Sequence, residues 1–321
     1  MEKILITGGA GFIGSHVAER LLRAGKRLAI VDNFDDYYPA DLKRANLEEI
    51  RTGGEFQYFP VDIRDGESLR QVFGQFQPDA VIHLAARPGV RLSFAQPDLY
   101  ASVNVVGTTQ VLEASRQHGV QRFVFASSSS VYGFSSRAPF REDAVITHPL
   151  SVYAATKVAG EAMAFTYSNA YALPVACVRL FTVYGPRQRP DLAIRKFAEM
   201  ILEGKEVPVF GDGSLGRDYT YIDDIVDGIL RALDAPGRFE VFNLGNSRPV
   251  RVDEMVDALQ IALATPARRK FVPTPAGEMT LTHADLTKAC QVLGYSPKVS
   301  FHDGICRFAQ WLETHRQRTL L

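Results

Sequence analysis

The sequence is poor in the residues that form disulfide frameworks and metal centres. Its 321 residues include three cysteines, Cys177, Cys290 and Cys306, which lie far apart and form no C-x-x-C pair. This spacing predicts neither a disulfide framework nor a zinc site, and it favours a reducing compartment. No two histidines have the spacing of metal ligands, so we expect no bound metal.

The chain also lacks an excess of charge and any long apolar run. Its 36 basic residues balance its 36 acidic residues. Binding to nucleic acid needs a local basic excess, so we expect no nucleic-acid partner. No apolar run approaches the ~18 residues of a membrane helix. The sequence begins with a strand-like run, Lys3–Thr7, rather than a cationic leader. We therefore expect no membrane partner and a cytoplasmic protein.

What the chain does contain is a regular alternation of apolar strands and amphipathic helices. Strands are predicted at Lys3–Thr7, Arg27–Val31, Phe56–Pro60, Ala80–Leu84, Phe123–Ser127 and Pro174–Leu180. Helices are predicted between them at Gly11–Ala24, Ser68–Gln75, Asp98–His118 and Tyr153–Tyr171. This order predicts an α/β fold with a doubly wound parallel sheet, which binds ligands at the carboxyl ends of its strands.

The pattern changes after about residue 181. A Pro- and Arg-rich loop at Gly185–Asp191 is followed by predicted helices at Leu192–Glu203 and Ile222–Leu233, separated by the turn-rich stretch Val209–Arg217. A predicted strand at Val241–Leu244 and short helices at Val252–Ala264, Ala284–Leu293 and Phe301–Thr314 complete the chain. We interpret residues 181–321 as a smaller C-terminal α/β substrate domain, with about 218–245 returning to the sheet.

A glycine-rich turn, Thr7–Gly14, joins the first strand to the first helix. It fits G-x-x-G-x-x-G through Gly8, Gly11 and Gly14, and G-x-G-x-x-G through Gly9, Gly11 and Gly14. In either case a pyrophosphate can approach the backbone and lie on the helix N-terminus. Residues 1–180 are therefore predicted to form a Rossmann-type dinucleotide-binding domain, with cofactor contacts from Gly8, Gly11, Phe12, Ile13 and Gly14.

Acidic residues at the strand ends indicate which dinucleotide binds. Asp32 lies 18 residues after Gly14, close to the ~20 expected for the carboxylate that binds the adenosine ribose, and it favours NAD over NADP. Asp62 follows the third strand and could accept from the adenine amino group or serve as a turn residue. The small residues of His83–Ala86 suit either cofactor passage or close packing. The predicted NAD contacts are completed by Asn33, Asp62, Ile63, Leu84, Ala85, Ala86 and Asn104.

Tyr153 and Lys157 place a phenol and an ammonium one turn apart on one helix face. A phenol ordinarily loses its proton near pH ~10. A neighbouring ammonium favours the phenolate, so we expect Lys157 to lower the pKa of Tyr153 towards that of a general base. The lysine can also hold the nicotinamide ribose. Ser128 is the candidate for a hydroxyl that bonds to the reacting group, although spacing does not separate it from its neighbours in the run Ser127–Ser130.

Together these residues resemble those of the extended short-chain dehydrogenase/reductases that modify nucleotide sugars. The glycine turn, Asp32, Tyr153 and Lys157 carry the resemblance, with the stretches His83–Ala86, Ser129–Gly133 and Arg217–Asp224; it spans residue 4 to about 290. Three other stretches resemble UDP-glucuronate 4-epimerases, namely Val31–Tyr38, Gly89–Ser93 and Phe181–Asp191.

The resemblance implies reversible epimerisation of UDP-glucuronate to UDP-galacturonate at C4, through a transient 4-keto sugar and tightly bound NAD. Tyr153 would take the C4 hydroxyl proton, with Ser128 as the hydroxyl partner and Ser129 and Ser130 near the sugar. The other implied substrate contacts are Thr182, Arg189 and Arg91 for the uronate carboxylate and Arg217 for the diphosphate.

One feature departs from the family pattern. Many relatives carry a second diphosphate arginine in a stretch that corresponds here to Pro275–Glu278. Either Arg217 works with fewer helpers, or Arg268 or Arg269 compensates.

Other functions remain open from the sequence: UDP-glucose 4-epimerase, UDP-glucuronate decarboxylase, dehydratase or a non-catalytic NAD-binding sensor. Dehydratases need an acidic pair beside the serine, which Ser128-Ser129 lacks. Sensors tend to lose the tyrosine or the lysine, and both are present. The family resemblance also implies a homodimer through the helices at Asp98–His118 and Tyr153–Tyr171, although the sequence equally allows these helices to face the core.

Overall fold

A computed structural model describes residues 1–134, 137–274 and 279–320, with side chains as far as residue 316. In this part of the chain the strands are β1 (Lys3–Thr7), β2 (Arg27–Val31), β3 (Gln57–Phe59), β4 (Ala80–His83), β5 (Arg122–Ser128), β6 (Val175–Leu180), β7 (Thr182–Tyr184), β8 (Glu206–Phe210), β9 (Gly216–Arg217), β10 (Tyr219–Tyr221), β11 (Phe239–Leu244), β12 (Val250–Arg251) and β13 (Arg268–Val272).

The helices occupy most of the connections between these strands. They are α1 (Phe12–Arg23), α2 (Ala40–Arg51), α3 (Gly66–Phe76), α4 (Val90–Ala95), α5 (Pro97–Ala101), α6 (Thr108–Gln117), α7 (Val152–Tyr171), α8 (Ala193–Leu202), α9 (Ile222–Leu233), α10 (Val252–Ala262) and α11 (Phe301–Leu320). Two π-helical segments, Ser102–Gly107 and Ala289–Leu293, and a 3-10 turn, Ser129–Tyr132, complete the helical structure of the described residues.

Seven parallel strands form the central sheet in the order β3-β2-β1-β4-β5-β6-β11. Successive residues of a strand face opposite sides, and both sides are apolar here. Ile4 and Ile6 of β1 pack in a core cluster with α1 and α9, while Leu5 packs in a second cluster with α3, α6 and α7. The predicted doubly wound parallel sheet is confirmed.

The second half of the chain contributes to both parts of the molecule. α9 packs against α1, β5 and β6, and β11 forms the edge of the central sheet beside β6. β10, in contrast, pairs with β7 in a separate two-stranded sheet, so the return to the central sheet begins with α9. Two other small sheets pair β9 with β12 and β8 with β13. The domain boundary near residue 180 stays a prediction.

Several local expectations need correction. The stretch Val209–Arg217 contains turns, as predicted, but it also holds the end of β8 and all of β9, which pair with distant strands. The predicted helix at Ala284–Leu293 begins with an extended residue, because Ala284 bridges to Phe140, and a π-helical segment follows. The predicted helix at Asp98–His118 is interrupted by a π-helical segment. The sequence interpretation missed α2, whose surface is largely polar, and α11 extends to Leu320.

None of the described helices has the length and apolar character needed to cross a membrane. Within the described residues no cluster of three or more His, Cys, Asp or Glu is arranged to hold a metal ion.

The close packing of α7 on β5 gives a stability test. A Cβ at Gly160 would lie 2.4 Å from Cζ of the buried Phe125, so Gly160→Ala should lower the free energy of unfolding by about 1–3 kcal/mol through overpacking. Gly74→Ala is the matched control, because the nearest atom to its Cβ is 3.8 Å away and the helix should gain up to about 1 kcal/mol. Urea unfolding measures both; equal stabilities for the two variants would contradict the packing argument.

Candidate active site

A cavity of about 460 Å³ opens at the carboxyl edge of the central sheet. Its walls come from the turn after β1, the ends of β2, β4 and β5, the loops after β3 and β6, and the first part of α7. This is the edge at which open α/β sheets bind ligands. The same cavity therefore collects most of the residues that the sequence singled out.

Glycine is required at two positions of the turn between β1 and α1. Gly8 has a φ of 71°, and a Cβ there would lie 2.7 Å from the backbone nitrogen of Ala85. A Cβ at Gly14 would lie 2.2 Å from the carbonyl oxygen of Gly8. The first turn of α1 has no side-chain cap and no acidic residue, so its N–H groups and positive dipole can bind an anion. The turn forms a cradle suited to a pyrophosphate.

Gly9 has a different constraint from Gly8. A Cβ at Gly9 would lie 2.7 Å from Cγ2 of Ile30 in β2. The glycine at this position therefore serves the packing of the turn on the sheet. Both readings of the glycine motif consequently have a structural basis.

Asp32 and Asp62 both line the end of the cavity near β2 and β3. The Asp32 carboxylate accepts N–H bonds from Phe34 (2.9 Å) and Ala10 (3.2 Å), while burial raises its pKa. Asp62 accepts a hydrogen bond from the Asn33 amide and forms an ion pair with Arg64. The hydrogen bond from the Arg64 side chain is the main cause of the lowered pKa of Asp62. Asp62 also accepts the Arg64 backbone N–H at 2.8 Å. It is thus a turn residue and a cavity residue at once.

Most of the other predicted NAD contacts line the cavity, namely Gly8, Gly11, Phe12, Ile13, Gly14, Asn33, Ile63, Leu84, Ala85 and Ala86. Asn104 does not. It is 2% exposed. Its side-chain oxygen accepts the Arg87 N–H, and its side-chain nitrogen donates to the Arg87 carbonyl oxygen and to the Thr156 hydroxyl. The structure gives Asn104 the role of fixing the loop after β4.

His83 at the end of β4 is buried between Thr7 and Thr108, whose hydroxyls lie 2.6 Å and 3.0 Å from its ring nitrogens. Burial, with a smaller effect of Lys157, lowers the pKa of His83 to about 3. The imidazole is therefore neutral at physiological pH and ties β4 to β1 and α6.

Ser128, Tyr153 and Lys157 meet at the wall of the cavity. Ser151 caps α7 by accepting the Ala154 N–H at 3.0 Å, which fixes the start of the helix just before Tyr153. The Lys157 ammonium donates to the carbonyl oxygen of Ala126 in β5 at 2.7 Å. Burial lowers the pKa of Lys157 to about 8, and Glu161 opposes this shift.

The pKa of Tyr153 departs from the expected direction. Burial raises it above the ordinary phenol value, and the Ser128 hydroxyl is the main group that opposes the rise. The Lys157 nitrogen lies 5.9 Å from the Tyr153 ring centroid and bonds to Ala126 instead. The prediction that Lys157 lowers the pKa of Tyr153 towards that of a general base was therefore wrong for the free protein: desolvation dominates, and Ser128, followed by Arg189, opposes the rise.

The structure also separates the four serines at the end of β5. The Ser127 hydroxyl donates to Glu161 at 2.5 Å and is used in the core. Ser128 accepts the Ser130 N–H at 3.2 Å and contacts Tyr153. Ser129 and Ser130 line the cavity in the 3-10 turn that follows. Ser128 is thus the serine placed to act with Tyr153.

Two of the predicted substrate contacts, Thr182 and Arg189, also line the cavity. The Arg189 guanidinium forms a two-point ion pair with Asp191 (2.9 Å and 3.0 Å) and lies over the ring of Tyr37. Tyr37 in turn donates to Asp191 at 3.2 Å. A cation whose charge acts on Tyr153 and a threonine therefore line the same cavity as Ser128 and Tyr153.

The structure does not bring the other predicted arginines into this cavity. Arg91 is exposed, over the ring of Phe210, and Arg217 donates to the carbonyl oxygen of Gly216. Neither is a lining residue. Arg268 and Arg269, the candidate replacements for a second diphosphate arginine, bond to Gly204 and Asp257. The stretch Pro275–Glu278 lies outside the described residues.

Sequence reasoning missed several lining residues, among them Lys43, Tyr37 and Arg87. The Lys43 ammonium donates to the carbonyl oxygen of Asp35 at 2.7 Å. Arg87 pairs with the carboxylates of Asp35 and Asp36. Tyr37 belongs to the Val31–Tyr38 stretch and Arg87 directly follows His83–Ala86. The quoted stretches therefore pointed to the neighbourhood of these two residues without indicating their roles.

The sequence of the chain also matches that of a known protein family. A sequence model of the GDP-mannose 4,6 dehydratase family matches residues 5–308. The chain belongs to this family. The resemblance to nucleotide-sugar-modifying short-chain dehydrogenase/reductases is therefore confirmed.

Relatives within this family include named UDP-glucuronate 4-epimerases. The chain is 40% identical to that of Thermodesulfobacterium geofontis, over 97% of this chain and 96% of the relative. It is 42% identical to UDP-glucuronate 4-epimerase 5 of Arabidopsis thaliana, over 96% of this chain and 74% of the relative.

Solved structures of family members agree with the fold over almost the whole chain. UDP-glucuronic acid 4-epimerase from Bacillus cereus, in complex with UDP-glucuronic acid and NAD, superposes with a TM-score of 0.91 at 36% identity and covers 98% of this chain and 99% of its own. UDP-glucose 4-epimerase from Thermotoga maritima with UDP-glucose gives a TM-score of 0.90 at 33% identity, with the same coverage.

The contact between Ser128 and Tyr153 gives a direct test. Ser128→Ala should raise the pKa of Tyr153 by about one unit, because a hydrogen bond that stabilises the phenolate is lost. The pKa is measured from the tyrosinate absorbance at 295 nm as the pH is raised. The curve of the same protein carrying Tyr153→Phe is subtracted from that of each protein, which leaves the contribution of Tyr153. Ser129→Ala, at the adjacent cavity residue, should leave it unchanged; an unchanged or lower value in Ser128→Ala would contradict the assignment.

Proposed function

We propose that this chain is an NAD-dependent UDP-glucuronate 4-epimerase, which interconverts UDP-glucuronate and UDP-galacturonate. The observation that carries the proposal is that Ser128, Tyr153 and Lys157 line one cavity together with the glycine cradle, Thr182 and Arg189. The named epimerase relatives at about 40% identity, and the Bacillus cereus enzyme with both ligands, support the same assignment.

The cavity fits NAD at the end formed by β1 and β2. Gly8 and Gly14 give the turn the shape of a cradle, since a Cβ at either would meet backbone atoms, and the uncapped first turn of α1 offers N–H groups to a pyrophosphate. Asp32 offers a carboxylate to ribose hydroxyls and repels a 2′-phosphate, which favours NAD over NADP. NAD, when bound, accepts the hydride of the sugar C4 and returns it.

Proton transfer falls to Tyr153. Its phenolate takes the proton of the C4 hydroxyl as C4 is oxidised, and the phenol returns that proton when the ketone is reduced from its opposite face. Ser128 donates to the phenolate or to the C4 oxygen. Lys157, held by Ala126, provides positive charge beside the phenolate and a donor for a ribose hydroxyl. Because burial raises the pKa of Tyr153, these groups must act together to make it a base.

The substrate side must also protect the carboxylate. Once C4 is a ketone, the sugar is a β-keto acid, which loses carbon dioxide when the C5–C6 bond aligns with the carbonyl π system. Charge-assisted bonds from Arg189 and a hydroxyl bond from Thr182 can hold the carboxylate out of that alignment. We therefore assign these two residues to the uronate.

UDP-glucose 4-epimerase is the second candidate, because the Thermotoga maritima enzyme with UDP-glucose has nearly the same fold similarity. A uronate offers Arg189 a carboxylate in addition to Asp191, whereas a neutral sugar does not, which favours the uronate. The dehydratase named in the family description is disfavoured, since Ser128-Ser129 lacks the acidic pair that elimination needs.

We also infer a homodimer from the family resemblance, and a cytoplasmic location from the sequence. Exposed apolar side chains on the expected interface helices, Phe165 and Tyr171 of α7 and Val106 beside α6, support the dimer.

Turnover of UDP-glucuronate tests the function. Purified protein should form UDP-galacturonate, followed by NMR, without a pentose product. Tyr153→Phe should lower kcat by about 10²- to 10⁴-fold, since the general base is lost, and should still bind the nucleotide sugar. Release of carbon dioxide, or a preference for UDP-glucose, would move the assignment to another enzyme of the family. Near-normal turnover by Tyr153→Phe would exclude Tyr153 as the base.

Selectivity for the uronate should depend on Arg189. Arg189→Ala should raise the KM for UDP-glucuronate roughly 10- to 100-fold through loss of a charged hydrogen bond, with a much smaller effect on UDP-glucose. Arg91→Ala is the control, because Arg91 is exposed and is not a lining residue of the cavity. Steady-state kinetics with both substrates give the comparison, and equal losses with the neutral sugar would count against a carboxylate role.

A further inference from the structure

A buried ion pair lies directly behind the catalytic residues. Glu161 of α7 and Arg179 of β6 have side chains that are 11% and 5% exposed. Arg179 donates to both carboxylate oxygens of Glu161, at 2.9 Å and 2.8 Å. A buried pair of this kind contributes little net stability, because desolvation offsets the attraction. The presence of this ion pair in the core therefore needs an explanation other than stability.

The pair is connected to the active site at two points. Glu161 follows Lys157 by four residues, so both side chains lie on the same face of α7. Glu161 also accepts the Ser127 hydroxyl at 2.5 Å, next to Ser128, while Lys157 donates to Ala126 at 2.7 Å. Two neighbouring side chains of α7 therefore hold consecutive residues at the end of β5.

We propose that Glu161 is a positioning residue, which keeps the Lys157 ammonium protonated in the core and, through Ser127, fixes the end of β5 that carries Ser128. Its relevance to turnover depends on the proposed function. Its effect on Lys157 does not.

The charges around Lys157 support this role. Within α7, Glu161 is the carboxylate that opposes the loss of the Lys157 proton. From β4, His83 is neutral above pH ~4 because its pKa is about 3. From β5, the Phe125 ring lies 5.1 Å from the ammonium. From β6, Arg179 is paired with Glu161, and burial keeps Cys177 a neutral thiol. Tyr153, on α7 itself, is a neutral phenol in the free protein because burial raises its pKa. Glu161, although shared with Arg179, is thus the carboxylate that favours the protonated lysine.

The sign of the effect follows from this arrangement. Lys157 acts as a cation, so its contribution is present at low pH and is lost as the pH rises through its pKa of about 8. Removing the Glu161 charge should lower that pKa by about one unit. The falling limb of the pH profile of kcat should move down by the same amount.

The test is an NMR titration of protein labelled with ¹³Cε-lysine, with the Lys157 signal assigned by its absence in Lys157→Met. In Glu161→Gln the midpoint should fall by about one pH unit. Glu161→Gln, Arg179→Met serves as the second variant, because it removes the pair without leaving a buried unpaired charge. The midpoint should fall there too, by less, because the repulsion from the Arg179 cation is also lost. Ser127→Ala is the matched control, which keeps the charge: the midpoint should not move, whereas kcat should fall through misplacement of Ser128.

An unchanged or higher midpoint in whichever Glu161 variant keeps the wild-type circular dichroism would overturn the electrostatic role. A normal kcat in Ser127→Ala would overturn the role through β5. Since the titration needs no substrate, failure of the wild-type protein to convert UDP-glucuronate would contradict the proposed function alone.

Discussion

The buried ammonium of Lys157 constrains both the packing and the chemistry of this protein. An ammonium that is removed from water needs partners, and here the Ala126 carbonyl oxygen accepts its bond at 2.7 Å while Glu161 follows one turn later on α7. These contacts require α7 to lie close against the end of β5, where Gly160 permits the approach to Phe125. Tyr153, one turn before Lys157, is thereby set at the cavity wall beside Ser128.

The wall of the cavity differs from one part to another. Near β1 and β2 it is largely backbone: a glycine turn whose shape does not depend on side-chain rotamers, and a helix N-terminus. Elsewhere it includes charged side chains, among them Arg189, which is paired with Asp191 and lies over the ring of Tyr37. A backbone cradle suits a cofactor common to a family, whereas charged side chains suit discrimination between ligands.

The sequence predicted well where function and local structure share a short motif. The glycine turn, Asp32 and the Tyr153–Lys157 pair each lie at one strand end or on one helix, so spacing along the chain sufficed. It predicted poorly where distant segments meet. The pairing of β8 with β13 and the use of Asn104 by the Arg87 backbone depend on contacts that no local pattern encodes. The pKa of Tyr153 is a similar case, because its burial results from the packing of several elements.

The position of β11, one of the two edge strands of the central sheet, has a consequence for biosynthesis. β6 is buried along its whole length, and β11 covers its outer edge although some sixty residues of chain separate the two strands. While the ribosome is producing that intervening segment, the nascent N-terminal part carries an apolar strand with unsatisfied hydrogen-bonding groups. Such an edge attracts other chains, so protection by a chaperone during translation would matter most in the interval before residue 244 emerges.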